Sequence, residues 1–110
     1  MIGADLLIGA ANLSSEETNV MAHALGWPDL YHIRARRSCG RIRWRNPYRN
    51  YYVCPVRSAT WEYLRDIHFA EGPELHDSYP DGGIWRVIAF GQRMLRLRLQ
   101  AEIEAVREHR

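Results

Sequence analysis

Polar and apolar positions along this chain change period several times, and each change marks an element. Between Ser15 and Leu25 the apolar residues Val20, Met21, Ala24 and Leu25 fall at helical spacing. Ser14 with Glu17 three positions on forms a capping box, in which two orphan backbone donors are satisfied reciprocally. Gly26 suits the left-handed end of a helix and Pro28 cannot continue one. A helix over residues 15–25 is therefore predicted. Residues 1–13 (MIGADLLIGAANL) fit a short helix and a strand equally, because Gly3 and Gly9 weaken both. Residues 27–40 read either as a short helix or as an arm.

From Arg41 to Arg45 the alternation is strict, which predicts a strand with arginines on one face and Ile42 and Trp44 on the other. Asn46-Pro47 ends it. Tyr51 to Cys54 reads as extended, and Pro55 stops it. Two prolines restrict this region to short edge strands or ordered loop. Ser58 is a suitable N-cap for a helix over Ala59 to Ala70, with Trp61, Leu64, Ile67 and His68 on one side and Glu71-Gly72-Pro73 as its stop. Asp81-Gly82 before the β-branched and aromatic run Ile84 to Phe90 predicts a hairpin. A long helix should fill Gly91 to about Glu108. Its apolar positions Met94, Leu95, Leu97, Leu99, Ile103 and Val106 cover more than the roughly 100° stripe of a one-sided helix. That excess calls for a second copy in a symmetric homodimer, or the target, against this helix, or for shielding in a monomer by the stems of Arg93, Arg96 and Arg98.

The predicted order is helix, basic segment, helix, hairpin, helix. It describes one domain over residues 1–110, α+β and mostly α, with three to four helices and a β-hairpin in the C-terminal half. A hairpin following a helix is a winged-helix-like arrangement. A clean helix-turn-helix pair is missing from the pattern, because a long basic stretch separates the first two well-marked helices.

Charge changes the picture most. Residues 34 to 57 contain Arg34, Arg36, Arg37, Arg41, Arg43, Arg45, Arg49 and Arg57 and no acid, a segment of +8 in a chain of net charge +2. Trp44, Tyr48, Tyr51 and Tyr52 are interleaved with them. Arginine among aromatics suits an anionic partner, either nucleic acid or an acidic protein surface. The candidate contact residues are Arg34, Arg36, Arg37, Arg41, Arg43, Arg45, Trp44, Tyr48, Arg49 and Tyr51. All fifteen basic residues are arginine, as a GC-rich genome would also produce, so the clustering carries the information and the choice of Arg does not.

Little points to chemistry. Cys39 and Cys54, with His68 and His76, match no compact metal-ligand spacing, and two free thiols are expected. The histidines are scattered, no Ser or Cys sits in a nucleophile elbow, and no glycine loop for phosphate is present. A non-enzymatic protein without metal or cofactor is expected. No run of about 18 apolar residues is long enough for a membrane span, and Leu6-Leu7-Ile8 lacks the basic flank of a secretory signal. A cytoplasmic location is expected.

Four stretches recur together in a known group. Met21-Ala22-His23-Ala24-Leu25-Gly26, Tyr48-Arg49-Asn50-Tyr51-Tyr52-Val53, Trp61 opening a helix, and Asp81-Gly82-Gly83-Ile84-Trp85-Arg86-Val87 resemble a group of small bacteriophage and prophage proteins. That group carries a HALG helix end, a YRN-aromatic segment and a glycine-rich hairpin before a last helix. The resemblance spans roughly residues 18 to 100. The chain departs from it at Ile88-Ala89, where a Val-Thr pair is the pattern, and in a longer arginine insert. The resemblance implies a winged-helix-like phage accessory protein and assigns no activity. Small phage proteins often inhibit host defences, anti-CRISPR proteins among them. The expected function is therefore inhibition of a host nucleoprotein defence complex through the Arg/Tyr-rich surface, in the host bacterial cytoplasm. The alternative is a winged-helix DNA-binding transcriptional regulator.

If the arginine segment is a contact surface, the fold does not need it. Replacing Arg41, Arg43 and Arg45 together with Gln should cost within about 0.5 kcal/mol per residue. Thermal unfolding of the triple variant tests this, and loss of folding would make these side chains structural.

Overall fold

Helix α1 (Ser15–Leu25) starts and stops at its capping residues in a computed structural model, which describes residues 12–36, 42, 44 and 46–108. The Ser14 hydroxyl accepts from the Glu17 N–H at 3.0 Å, and the Ser14 N–H donates to the Glu17 carboxylate at 2.8 Å. Gly26 ends the helix at φ 73°, and the Trp27 N–H reaches back to the Ala22 carbonyl at 2.9 Å. After Trp27, Pro28 and Asp29 the chain enters α2 (Leu30–Arg36). Asp29 caps α2 by accepting from the His32 N–H at 2.8 Å, and Asn19 of α1 accepts from the Leu30 N–H at 3.0 Å. Of the two readings of residues 27–40, the helix is the one that forms over Leu30–Arg36.

The remaining elements are β1 (Tyr52–Pro55), α3 (Ala59–Asp66), β2 (Ala70–Leu75), β3 (Gly82–Val87) and α4 (Ala89–Glu108). The three strands form an antiparallel sheet in the order β1-β3-β2. Val53 lies opposite Ile84, and Ile84 opposite Glu74. β2 and β3 make the hairpin, and β1 joins β3 from the other side. Each outer strand contains a proline, Pro55 and Pro73, which removes a donor and blunts the edge. The protein is α+β, with four helices and a C-terminal-half β-hairpin among the described residues, and about half of it is helical. No helix of the described residues is long and apolar enough to cross a membrane.

Trp61 of α3 and Trp85 of β3 form the centre of the core, with rings stacked at 5.9 Å between centroids. Met21, Leu25, Leu30, Ile33, Leu64, Val87, Met94, Leu95 and Leu99 are buried around them. Gly91 lets α4 cross close to the start of β2, since a Cβ there would lie 2.1 Å from the Phe69 carbonyl oxygen. On α4, Met94, Leu95 and Leu99 are buried, and Leu97, Ile103 and Val106 are half-buried against the same core.

Three sequence expectations change. The helix beginning at Ala59 ends at Asp66, and Glu71-Gly72-Pro73 lies inside β2 instead of serving as a stop. His68 turns the chain at φ 63°, and its pairing with β3 buries Ala70. The hairpin loop is residues 76–81, longer than a two-residue Asp-Gly turn. Ile42 and Trp44 are not in a strand, because the Trp44 N–H folds back to the Ile42 carbonyl at 3.1 Å. Both nevertheless pack inward, as the alternation required. The expectations for residues 1–11 and for Arg37, Cys39, Arg41, Arg43 and Arg45 lie outside the described residues.

At the end of α3 the N–H groups of His68 and Phe69 donate to Arg65 and Leu64 carbonyls at 3.0 and 2.8 Å. This is a glycine-type helix end with histidine at the left-handed position. His68→Gly should raise the unfolding free energy by up to about 1 kcal/mol, and His68→Val should lower it, because left-handed backbone costs a side chain about that much. Shifts in the urea midpoint measure both.

Candidate functional site

The segment of residues 48–51, which leads into β1, is built onto the end of α1. The last carbonyls of a helix have no partners within it. Here the Tyr51 N–H donates to Ala24 at 3.1 Å. The Arg49 guanidinium donates twice to the His23 carbonyl, from Nε at 3.1 Å and Nη2 at 2.6 Å. The Tyr48 ring covers Gly26 so closely that a Cβ at residue 26 would lie 2.2 Å from its Cε1. Asn50 reaches the other way. Its Nδ2 donates to the Val87 carbonyl at 2.9 Å and its Oδ1 accepts from the Val87 N–H at 2.8 Å, as a paired strand residue would. The Tyr52 ring then lies edge-on to His23 at 5.6 Å and beside Trp61 at 5.4 Å. The HALG and YRN stretches, separated in the chain, are therefore in direct contact.

The candidate contact residues divide by environment. Arg34 of α2 is ion-paired with Glu102 of α4, which also takes Arg98 at 3.3 Å. Arg49 is the cap just described, and its guanidinium also lies 5.3 Å from the Tyr48 ring centre. Trp44 is half-buried, edge-on to Trp27 at 5.0 Å, with the Arg96 guanidinium over its ring at 5.8 Å. Arg96 thus lays its side chain across an apolar neighbour, as the monomeric alternative for α4 supposes. Tyr48 and Tyr51 stay 75% and 51% exposed. Arg36 lies in α2. Arg37, Arg41, Arg43 and Arg45 are outside the described residues.

Two residues join this surface without having been singled out. Tyr31 of α2 is 72% exposed, and His32 beside it holds the Asp29 carboxylate through Nδ1 at 2.7 Å. Leu30 and Ile33 are buried, so the helical period turns Tyr31, His32 and Arg34 outward. That signal was present in the sequence, but it becomes visible only once residues 30–36 are taken as helix.

The hairpin has the opposite charge. Glu71, Glu74, Asp77 and Asp81 stand on it against Arg86 alone, and Arg86 is paired with Glu74. Burial pushes the half-buried Cys54 thiol up, which suits an unreactive sulfur. Among the described residues no group of three His, Cys, Asp or Glu side chains is placed to hold a metal ion. No protein-family model, curated protein or solved structure matches this chain.

Two carboxylates have lowered pKa values: Glu102, which joins α2 to α4, and Asp29, which caps α2. For Glu102, burial acts upward, but hydrogen bonds and charge from Arg34 and Arg98 outweigh it and lower its pKa. For Asp29, burial again acts upward and is outweighed by the His32 backbone and side-chain hydrogen bonds and by the charges of His32 and His23. A lowered carboxylate stabilises the fold fully above its unfolded value, about 4.3 for Glu and 3.9 for Asp, and loses that contribution as pH falls through the folded value. The urea midpoint should therefore drop as pH is taken from about 6 to about 3. Glu102→Gln should lower the midpoint at neutral pH and flatten the dependence. An unchanged slope in that variant would remove Glu102 as a cause.

Proposed function

We propose that this chain is a non-enzymatic accessory protein of the small phage type, which binds and inhibits a host nucleoprotein defence complex through its Arg/Tyr-rich surface. The observation that carries the reading is the exposure of Tyr31, Tyr48 and Tyr51 at the root of the +8 segment, each anchored on ordered backbone. Tyrosines held rigidly lose little entropy on binding, and with arginine they supply most strong contacts in protein interfaces. The target is the class of surface that such residues fit, an acidic protein patch or the nucleic acid held by the complex.

A specific observation favours a second reading, a DNA-binding regulator. Helices α1 and α2 are joined by a short turn containing glycine, the connection used in helix-turn-helix motifs, and a hairpin follows α3. The acidic hairpin opposes it. A duplex lying against both α2 and the wing would meet Glu71, Glu74, Asp77 and Asp81, where phosphate contacts call for Arg or Lys.

Affinity capture from host lysate, with and without nuclease, separates the two readings. An inhibitor retains a protein complex and does not shift free duplex DNA in a gel. The Arg41, Arg43 and Arg45 to Gln variant should lose the capture while keeping its fold. Binding of free duplex with affinity falling steeply in salt, at a slope of about 0.9 per phosphate contacted, would establish the regulator instead.

A further inference from the structure

Among the described residues each ion pair joins one acid to one base, except at Glu102. There one carboxylate of α4 takes two arginines. Its Oε1 accepts from Nε of Arg34 on α2, and its Oε2 accepts from Nη1 of Arg98, on α4 itself, at 3.3 Å. The three side chains are unequally placed. Those of Glu102 and Arg98 are only 14% and 18% exposed, whereas that of Arg34 is 54% exposed.

This inequality makes one of the two pairs exchangeable. A largely buried carboxylate is costly to leave without a partner. Release of Arg34 does not do that, because Arg98 stays one helical turn from Glu102. Nor does it undock α2, which Leu30 and Ile33, each 1% exposed, hold in the core. Arg34 stands three positions after Tyr31, so the two share one face of α2. A released Arg34 therefore stands beside an exposed tyrosine of the proposed contact surface.

We propose that Glu102 is an internal competitor for Arg34, standing in for a carboxylate of an acidic protein partner, and that binding exchanges one carboxylate for the other. This rests on the contact surface of the preceding reading and names the chemistry that Arg34 recognises there. The Arg34 Nε–H already donates to a carboxylate, so an Asp or Glu of the partner repeats the same hydrogen bond. The exchange balances. Glu102 keeps Arg98, and Arg34 passes from one acid to another. An acid that approaches anywhere else gains nothing at Arg34, while one placed beside Tyr31 gains both contacts. Competition from Glu102 thus discriminates against partners of the wrong geometry.

The competition has a definite size. A partly exposed ion pair is weak, so removing the competitor should tighten binding of an acidic chain about two- to fivefold. Loss of any acid also reduces repulsion towards such a chain. Glu104 separates the two effects. It lies on the same helix and pairs with Arg107, not with Arg34. Glu104→Gln therefore makes the same change of charge without freeing Arg34.

Fluorescence anisotropy of labelled poly-glutamate, titrated with the purified full chain at low salt and neutral pH, gives the test, with polyphosphate as a second probe. Glu102→Gln should bind poly-glutamate more tightly than Glu104→Gln does. Arg34→Gln should weaken binding more in the Glu102→Gln background than in the unchanged chain, which is the coupling that competition requires. Equal effects of the two Glu variants overturn the proposal, as does a gain that survives Arg34→Gln. A gain seen with polyphosphate alone overturns the carboxylate as the group recognised. Binding that ignores Glu102 leaves the contact surface standing, whereas no binding of either probe defeats that surface as well. If circular dichroism shows Glu102→Gln unfolded, the Arg34 Nε–H signal in ¹⁵N NMR of the unchanged chain decides. It should move as poly-glutamate is added while that of Arg98 stays, and an Arg34 signal unmoved at saturation overturns the proposal.

Discussion

The end of α1 is the constraint on which the rest of this structure depends. A helix that stops inside a folded protein leaves carbonyls that must find donors, and leaving one buried and unpaired costs about 1–3 kcal/mol. Here they are met by Trp27, by Tyr51 and by the Arg49 guanidinium. The same segment delivers the chain into β1 at a fixed point. Asn50 then fastens it to Val87 at the end of β3. One short stretch thus sets the position of the helix pair relative to the sheet. Gly26 is needed twice over, for its left-handed backbone and for the space that the Tyr48 ring occupies.

Local chemistry was legible in the sequence wherever a local rule governs. The capping box at Ser14, the glycine end at Gly26 and the Ser58 N-cap all stand where the pattern put them. The hairpin and the long last helix did as well. Non-local pairing was not legible. Glu71-Gly72-Pro73 has the composition of a stop, yet it is carried in β2 because β3 supplies its partner and His68 accepts an unfavourable backbone to reach it. The strict alternation from Arg41 to Arg45 oriented Ile42 and Trp44 correctly, but alternation without a neighbouring strand does not make a strand. Of the candidate site, the exposure of Tyr48 and Tyr51 was foreseeable from composition. The capping role of Arg49 and the pairing of Arg34 with Glu102 required knowing which helix ends lie nearby.

Charge in this protein is segregated by element and does not alternate across the surface. The +8 segment runs in sequence from within α2 to just before α3, while the hairpin is acidic. Interspersed charges would have neutralised each other through i, i+4 and cross-strand pairs, as Arg98–Glu102 and Arg86–Glu74 do. Keeping like charges together raises the energy of the free protein through self-repulsion. That cost is relieved when an opposite surface is bound, so segregation on this scale fits a protein whose task is binding.

The HALG and YRN stretches have a physical meaning of their own in this structure. His23 and Gly26 of the HALG stretch and Tyr48, Arg49 and Asn50 of the YRN stretch are the two halves of one clasp. A chain that contains both halves has the means to dock a helix end against a sheet in this way. It does not thereby acquire a particular partner.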